Sequence, residues 1–115
     1  MEKKEEPLTW KEFMRLDMRV GTVLTAEVFK EARNPSYKLT VDFGELGVKK
    51  SSAQITKRYT LQELVGKQVI AVVNFPPKQI ATMMSECLIL GAIGNQNVVT
   101  LVTADKKVAN GQRIG

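Results

Sequence analysis

Apolar residues recur at every second position along most of the chain, and helical spacing is confined to two short segments. From Met18 the period is two: Met18, Val20, Thr22, Leu24, Ala26 and Val28 face one way, while Arg19, Gly21, Thr25 and Glu27 face the other. A strand this long must bend, and Gly21 is the expected place for a bulge or tight curl. After the turn residues Glu31-Ala32-Arg33-Asn34-Pro35-Ser36, alternation resumes with Tyr37, Leu39, Val41 and Phe43 inward and Lys38, Thr40 and Asp42 outward, which predicts a hairpin. Gly44 to Gly47 make a second turn, and Val48 to Ser52 a third, polar strand. Lys67 to Asn74 and Cys87 to Ala92 read as apolar strands separated by a Pro76-Pro77 loop, and Val98 to Val102 as a last strand after the Gly94-Asn95-Gln96-Asn97 turn.

The two helical segments announce themselves by their caps. Thr9-Trp10-Lys11-Glu12 and Thr60-Leu61-Gln62-Glu63 both fit the capping box, in which the threonine hydroxyl accepts from the third amide and the glutamate reaches back to the threonine amide. The first predicts a helix over Trp10 to Leu16, with Trp10, Phe13 and Met14 as an apolar stripe for packing or for a partner. The second opens a short helix that Gly66 ends.

Short strands, turn residues between them and one helix between the third and fourth main strands predict an all-β fold with short helices. The expected form is a five-stranded OB-fold barrel with an N-terminal helix and a C-terminal strand extension. At 115 residues there is room for one domain, expected over residues 9–115 behind a tail of residues 1–8, and no repeat or low-complexity tract interrupts it. The tail mixes charge signs and precedes no long apolar run, so it does not read as a signal peptide. Val69 to Val73, the longest apolar stretch, is too short to cross a bilayer, so no membrane insertion is expected and the cytoplasm is the default compartment.

Charge changes the picture more than composition does. The net charge is +5, and Lys30 to Ile80 alone holds nine basic residues against four acidic ones, so the whole excess is central. In an OB barrel nucleic acid binds on strands two and three and on the adjoining loops. Here those places hold Lys30, Arg33, Lys38, Lys49, Lys50 and Lys78. Cations interleaved with short donors, as in Lys49, Lys50, Ser51, Ser52, Gln54, Lys57 and Arg58, suit phosphates and ribose hydroxyls. Tyr37 and Phe43 belong to the inward face, leaving Phe75 and Tyr59 as the expected exposed aromatics, which favours a reader of backbone or shape over a reader of bases.

Catalysis finds little support. Histidine is absent and Cys87 is the single cysteine, so no His triad, His or CxxC metal site, or intrachain disulfide can form. Cys87 sits in an apolar strand without an activating base, and Asp17, Asp42 and Glu45 lie on separate elements. There is no nucleotide-binding motif, metal site or cofactor site, and the chain reads as a non-enzyme.

Three stretches carry a family signature: Leu16-Asp17-Met18-Arg19-Val20-Gly21-Thr22-Val23, Val41-Asp42-Phe43-Gly44, and Val72-Val73-Asn74-Phe75-Pro76-Pro77-Lys78 leading to Ser85 and Leu88. They resemble the tRNA-binding domain found free-standing and appended to some aminoacyl-tRNA synthetases. Lys49 to Tyr59 and Ser85-Glu86-Cys87-Leu88-Ile89-Leu90-Gly91 are similar to its CsaA branch, and the resemblance covers nearly all of residues 12–115. One departure is Ala81-Thr82, which stands near a glycine of the wider family.

The resemblance implies a homodimeric OB barrel that binds tRNA by shape and, in the CsaA branch, a secretion-related chaperone for unfolded preproteins that cooperates with the translocase. On that basis Lys49, Lys50, Ser51, Ser52, Gln54, Lys57, Arg58, Asn74, Lys78 and Ser85 are the expected RNA-binding residues, although Asn74, at the end of an apolar strand and before Phe75-Pro76-Pro77, reads first as a stabiliser of that turn. Phe75, Met83 and Met84 are the expected client-binding residues, although one methionine has an alternative role as a plug of the barrel end. Trp10, Phe13, Val99 and Leu101 are the expected dimer contacts. Val69 to Val73 and Cys87 to Leu90 support a dimer because they are apolar on both faces, and a lone small barrel would bury one.

Overall fold

The computed structural model describes residues 6–115, so residues 1–5 of the expected tail lie outside the described residues. Helix α1 (Trp10–Met14) leads into β1 (Met18–Val28), β2 (Tyr37–Asp42) and β3 (Val48–Ala53). Helix α2 (Leu61–Leu64) then precedes β4 (Gln68–Val72), a small hairpin of β5 (Lys78–Ile80) and β6 (Met83–Ser85), β7 (Leu88–Ile89), and a last hairpin of β8 (Gly91–Ile93) and β9 (Val99–Leu101). Five strands form one antiparallel sheet in the order β3-β2-β1-β4-β7, curled into a nearly closed barrel with α2 between β3 and β4. This is the expected architecture.

Both capping boxes are made. Thr9 and Thr60 each accept from the third amide, and Glu12 and Glu63 each accept the cap amide in return. Those bonds from the threonine amides, with the hydroxyls adding to them, hold both carboxyls below the usual carboxylate range. Gly66 follows α2 with φ of +92°, in the left-handed region that ends such helices.

Strand β1 departs from the expected phase. Its first half pairs with β4 (Gly21 opposite Val69, Arg19 opposite Ala71), and its second half pairs with β2 (Val23 opposite Val41, Ala26 opposite Leu39). Because cross-strand partners share a face, Gly21 and Val23 point into the core, and the set Met18, Val20 and Thr22 takes the opposite face. The register shifts between Val23 and Thr25, so Leu24 is the bulge and the inward phase passes to Ala26. Gly21 is therefore no bulge. A Cβ there would lie 2.6 Å from Val41 Cγ1 and 2.8 Å from two carbons of the Phe43 ring.

The core of Val23, Leu39, Val41, Phe43, Ile55, Leu64, Val69, Ala71 and Cys87 fills the barrel, with Leu64 brought in by α2. On the opposite face of β4, Ile70 and Val72 are buried too, together with Val20. The chain thus covers both faces of β4 by itself, which removes that strand as a reason for a dimer.

Two closures complete the barrel. At the seam between β3 and β7, Glu86 N donates to Lys50 O (2.8 Å), Lys50 N donates to Glu86 Oε1 (2.9 Å), and Ser51 Oγ donates to Cys87 O (3.0 Å). Across β1, where β2 has ended, the C-terminal segment adds an edge: Gly111 N donates to Val20 O (2.7 Å), Val20 N to Gln112 O (3.0 Å) and Ile114 N to Met18 O (2.8 Å). The expected single strand Cys87 to Ala92 is divided, because Leu90 bonds β4 through its amide while its carbonyl accepts from Val102. The expected Pro76-Pro77 loop contains the β5–β6 hairpin, whose two-residue turn places Ala81 at φ of +48°.

Gly21→Ala should cost about 1–3 kcal/mol, since the new methyl meets a packed ring and a buried valine, read as a lower urea midpoint. Ala81→Gly should stabilise by about 1 kcal/mol by relieving a left-handed alanine, read as a higher midpoint with unchanged m-value.

Candidate ligand-binding surfaces

Alternation along β3 separates residues that are neighbours in sequence. Lys49 and Ser51 lie opposite Val41 and Leu39 and so take the core-side face, whereas Lys50 and Ser52 lie opposite Thr40 and Lys38 on the outer face. Ser51 is buried with its hydroxyl bound to Cys87 O; Lys49 is half-buried and Lys50 exposed. Beyond the strand Gln54 is exposed, Lys57 Nζ donates to Gln96 O (2.7 Å), and Arg58 Nη1 donates to Thr100 Oγ1 (2.9 Å). Both of these cations tie the loop before α2 to the C-terminal hairpin region while remaining exposed.

The β5–β6 hairpin divides the remaining residues between two hollows. On one side Phe75, Pro76, Lys78, Ser85, Cys87 and Leu88 line a mainly apolar cleft of about 260 Å³. Lys78 faces Ser85 across the hairpin, and Phe75 is 52% exposed. On the other side Thr25, Lys38, Thr40 and Lys50 of the outer sheet face Thr82, Met83 and Met84 of the hairpin across a groove of about 340 Å³. The two methionines part company, Met84 being exposed and Met83 buried at 8% exposure, so only Met84 has the expected accessibility.

Asn74 is engaged at both ends of its amide. Its Oδ1 accepts from Asp17 N (3.0 Å) and its Nδ2 donates to Arg15 O (2.7 Å), fastening the end of β4 to the link between α1 and β1. Tyr59 is also committed, since its hydroxyl accepts from Leu101 N (2.9 Å) and its carbonyl accepts from Tyr37 Oη (2.8 Å), so it is no free stacking platform. Trp10 is 86% exposed and Met14 is exposed, so the α1 stripe does not pack inward within the chain. Val99 and Leu101 are half-buried and line an open groove of about 470 Å³ between the end of β3 and β7–β9, beside Ile93 at 76% exposure.

One cluster went unseen in the sequence. Asp17 Oδ1 accepts from Arg19 Nε (2.6 Å) and lies 3.9 Å from Arg113 Nε, while Arg113 Nη2 donates to Met14 O (3.0 Å) and Leu16 O (3.2 Å). It joins residues almost a hundred positions apart, which no local pattern signals. Among the described residues no group of His, Cys, Asp and Glu side chains is gathered that could hold a metal ion. No helix among them is long and apolar enough to cross a membrane.

A family model for a putative tRNA binding domain matches residues 18–113. The structure is similar to a crystal structure of chaperone CsaA from Bacillus anthracis, with a TM-score of 0.91 and 49% sequence identity over 96% of this chain and 100% of that one. It is similar as well to a CsaA chaperone protein from Picrophilus torridus, with a TM-score of 0.88 and 48% identity over 95% of this chain and 100% of that one. The methionine–tRNA ligase of Methanosarcina mazei is 33% identical over 107 residues, which is 93% of this chain and 15% of the ligase. The chain therefore spans only a small part of that relative's length.

Burial pushes the Cys87 thiol up to about 11, against smaller opposing effects of the Ser51 hydroxyl and the Lys49 ammonium. A raised thiol favours the fold while the unfolded thiol is still protonated, so stability should decline from about pH 9 to about pH 11. Cys87→Ala should flatten this part of the stability profile in urea titrations. At pH 8 the folded thiol should resist a disulfide reagent that denatured protein consumes at once.

Proposed function

The chain belongs to the tRNA-binding domain family, and from that premise we propose that it is a molecular chaperone of the CsaA type, binding unfolded export precursors and assisting their secretion. The observation that carries this reading is the apolar cleft of Phe75, Pro76, Cys87 and Leu88 with Lys78 at its rim. Phe75 and Leu88 are large apolar side chains held in solvent. An extended precursor would place apolar side chains in the cleft and on Phe75, and the flexible thioether of Met84 would adapt to differing clients from the far side of the hairpin. Met83, which is buried, takes no direct part. With no nucleotide-binding motif, the activity is holding without ATP, in the cytoplasm and in cooperation with the secretion translocase; it is binding and not catalysis.

The second reading is a tRNA-binding protein that recognises tRNA by shape. It is favoured by the family match and by the exposed cations Lys50, Lys57, Arg58 and Lys78, with Lys49, Ser52, Gln54 and Ser85 beside them. Ser51 and Asn74 would act in it through the fold, since their polar atoms are already engaged.

In both readings residues 9–115 work as one domain and the protein is a homodimer. Trp10 and Phe13 of α1, with Val99 and Leu101 of the last hairpin, are the proposed contacts. An exposed tryptophan on a capped helix and an apolar groove beside Ile93 are surfaces that a second copy would cover.

The chaperone reading is tested by aggregation of a denatured precursor without nucleotide. Wild type should suppress it at low and high salt, and Phe75→Ser/Leu88→Ser should lose most of the protection at both, since apolar contacts are not screened. Absence of protection by wild type would sink this reading. For tRNA, affinity should fall with salt at a log–log slope of about −0.7 to −0.9 per neutralised phosphate, and alanine at Lys50, Lys57, Arg58 or Lys78 should each reduce the slope by about one or less. Light scattering should give a dimer that Trp10→Ser weakens; a monomeric wild type at micromolar concentration would remove the dimer.

A further inference from the structure

The C-terminal segment that edges β1 carries a pair of residues with a chemistry of its own. Asparagine stands at Asn34, Asn74, Asn95, Asn97 and Asn110, and only Asn110 is followed by glycine. A backbone amide can attack the side chain of an asparagine that precedes it, and glycine presents that amide with no side chain to shield it. Pro35 has no amide hydrogen after Asn34, and Phe75, Gln96 and Val98 shield theirs. Ala109 to Gln112 form a turn closed by Gln112 N donating to Ala109 O (3.3 Å), with Asn110 and Gly111 at its centre and Gly111 at φ of +89°.

In the folded chain the groups that would react are tied elsewhere. Gly111 N donates to Val20 O (2.7 Å) and Gly111 O accepts from Arg19 Nη1 (3.0 Å), with Arg19 held in turn by Asp17. Asn110 Oδ1 accepts from Thr22 Oγ1 (2.7 Å) and Gln68 Nε2 (3.2 Å), which fixes the side-chain amide against β1 and β4. The turn has no room to swing while docked: a Cβ on Gly111 would lie 2.5 Å from Phe43 O, and one on Gly44 would lie 2.5 Å from Asn110 O. Ala109, Gln112 and Arg113 are nevertheless exposed, and the segment joins the sheet by few backbone bonds, so it can lift while the core stays closed. Lifting it frees every restraint on Asn110 and Gly111 together.

We propose that Asn110–Gly111 is a deamidation site that the docked C-terminal segment latches shut, and that its conversion to isoaspartate bars the segment from docking again. When the segment lifts, Gly111 N gives its proton to hydroxide or a buffer base and bonds to Asn110 Cγ. The Cγ–Nδ2 bond breaks, and Nδ2 leaves as ammonia, closing a succinimide. Water then opens the ring. Breaking the ring bond at Cγ gives aspartate, and breaking it at the main-chain carbonyl gives isoaspartate, whose chain runs through Cβ and Cγ. No electron is transferred, and in sum amide and water become carboxylate and ammonium. The extra backbone carbon shifts Gln112 and Ile114 along β1, so they no longer meet Val20 and Met18. Plain aspartate keeps the backbone length and offers oxygens to the Thr22 and Gln68 donors, so it docks.

The test ages the full chain in mildly alkaline buffer, folded and in urea, and follows the tryptic peptide Val108–Arg113 by mass and by an isoaspartyl methyltransferase assay. The unfolded chain should accumulate isoaspartate at least about tenfold faster than the folded one, because the folded chain reacts only when locally open. Arg19→Gln, which frees Gly111 O, should speed the folded reaction about tenfold, as loss of a hydrogen bond from a charged group does. Thr22→Val, which removes a donor to Asn110 Oδ1, should speed it as well. Ile55→Val, a core change beside the β7–β9 groove, should lower the urea midpoint and leave the folded rate unchanged. Asn110→Gln should block the reaction, since its side chain would have to close a larger ring. Protein aged in urea and refolded should exchange the Val20 and Ile114 amides faster than fresh refolded protein, and Asn110→Asp should exchange them like wild type.

Equal rates in the folded and the unfolded chain, or no isoaspartate in either, overturn the proposal. So does a folded rate that rises as much in Ile55→Val as in Arg19→Gln, because global unfolding and not the latch would then govern the reaction. If Arg19→Gln does not fold, Thr22→Val takes its place in that comparison. Unchanged amide exchange in the aged and refolded protein, or equally fast exchange in Asn110→Asp, overturns the bar on docking again.

Discussion

Strand β1 has to serve two neighbours along one edge and one along the other, and the rest of the barrel depends on how it does so. Its first half lies between β4 and the C-terminal segment, and its second half pairs with β2. The bulge at Leu24 changes the inward phase where the partners change. A bulge increases twist and bends its strand, and this lets five strands curl until β3 and β7 approach. The same curvature brings Phe43 against Gly21, where there is room for a ring only because there is no side chain. Closure at the seam, through Lys50 with Glu86 and Ser51 with Cys87, is the last consequence of that bend.

Closure also sorts the chemistry. The Glu86–Cys87 segment that seals the seam directly follows β6, so the hairpin is anchored beside β3 and becomes a partition. Apolar Phe75, Pro76 and Leu88 fall to one side, and Lys38, Lys50 and the threonine hydroxyls to the other. A chain of 115 residues thereby presents two surfaces of different character, one mainly apolar and one carrying lysines and hydroxyls.

Much of this was legible before any coordinates. The capping boxes at Thr9–Glu12 and Thr60–Glu63 are local, depending on residues three apart, and both are made as read. The alternation in Tyr37 to Phe43 has one buried face and a regular partner, so its phase is right. The central basic excess was visible by counting, but its division was not. Lys49 and Lys50 look like one patch in sequence and point to opposite sides of β3, because the strand period is two. Met83 and Met84 separate by the same rule, one buried and one exposed.

Composition and short-range pattern determined by themselves that this chain forms a small β barrel with two capped helical turns, a basic middle and no histidine chemistry. Those properties depend on side-chain type and on neighbours a few residues away, and they survive any later arrangement of the strands. Tertiary structure alone decided the phase of β1, the exposure of Trp10, the partners of Asn74, the engagement of Tyr59, and the joining of Asp17 to Arg113. Each depends on a partner distant in the chain. A strand with apolar residues on both faces does not reveal which face turns inward until a neighbour's ring, here that of Phe43, occupies the space on one side.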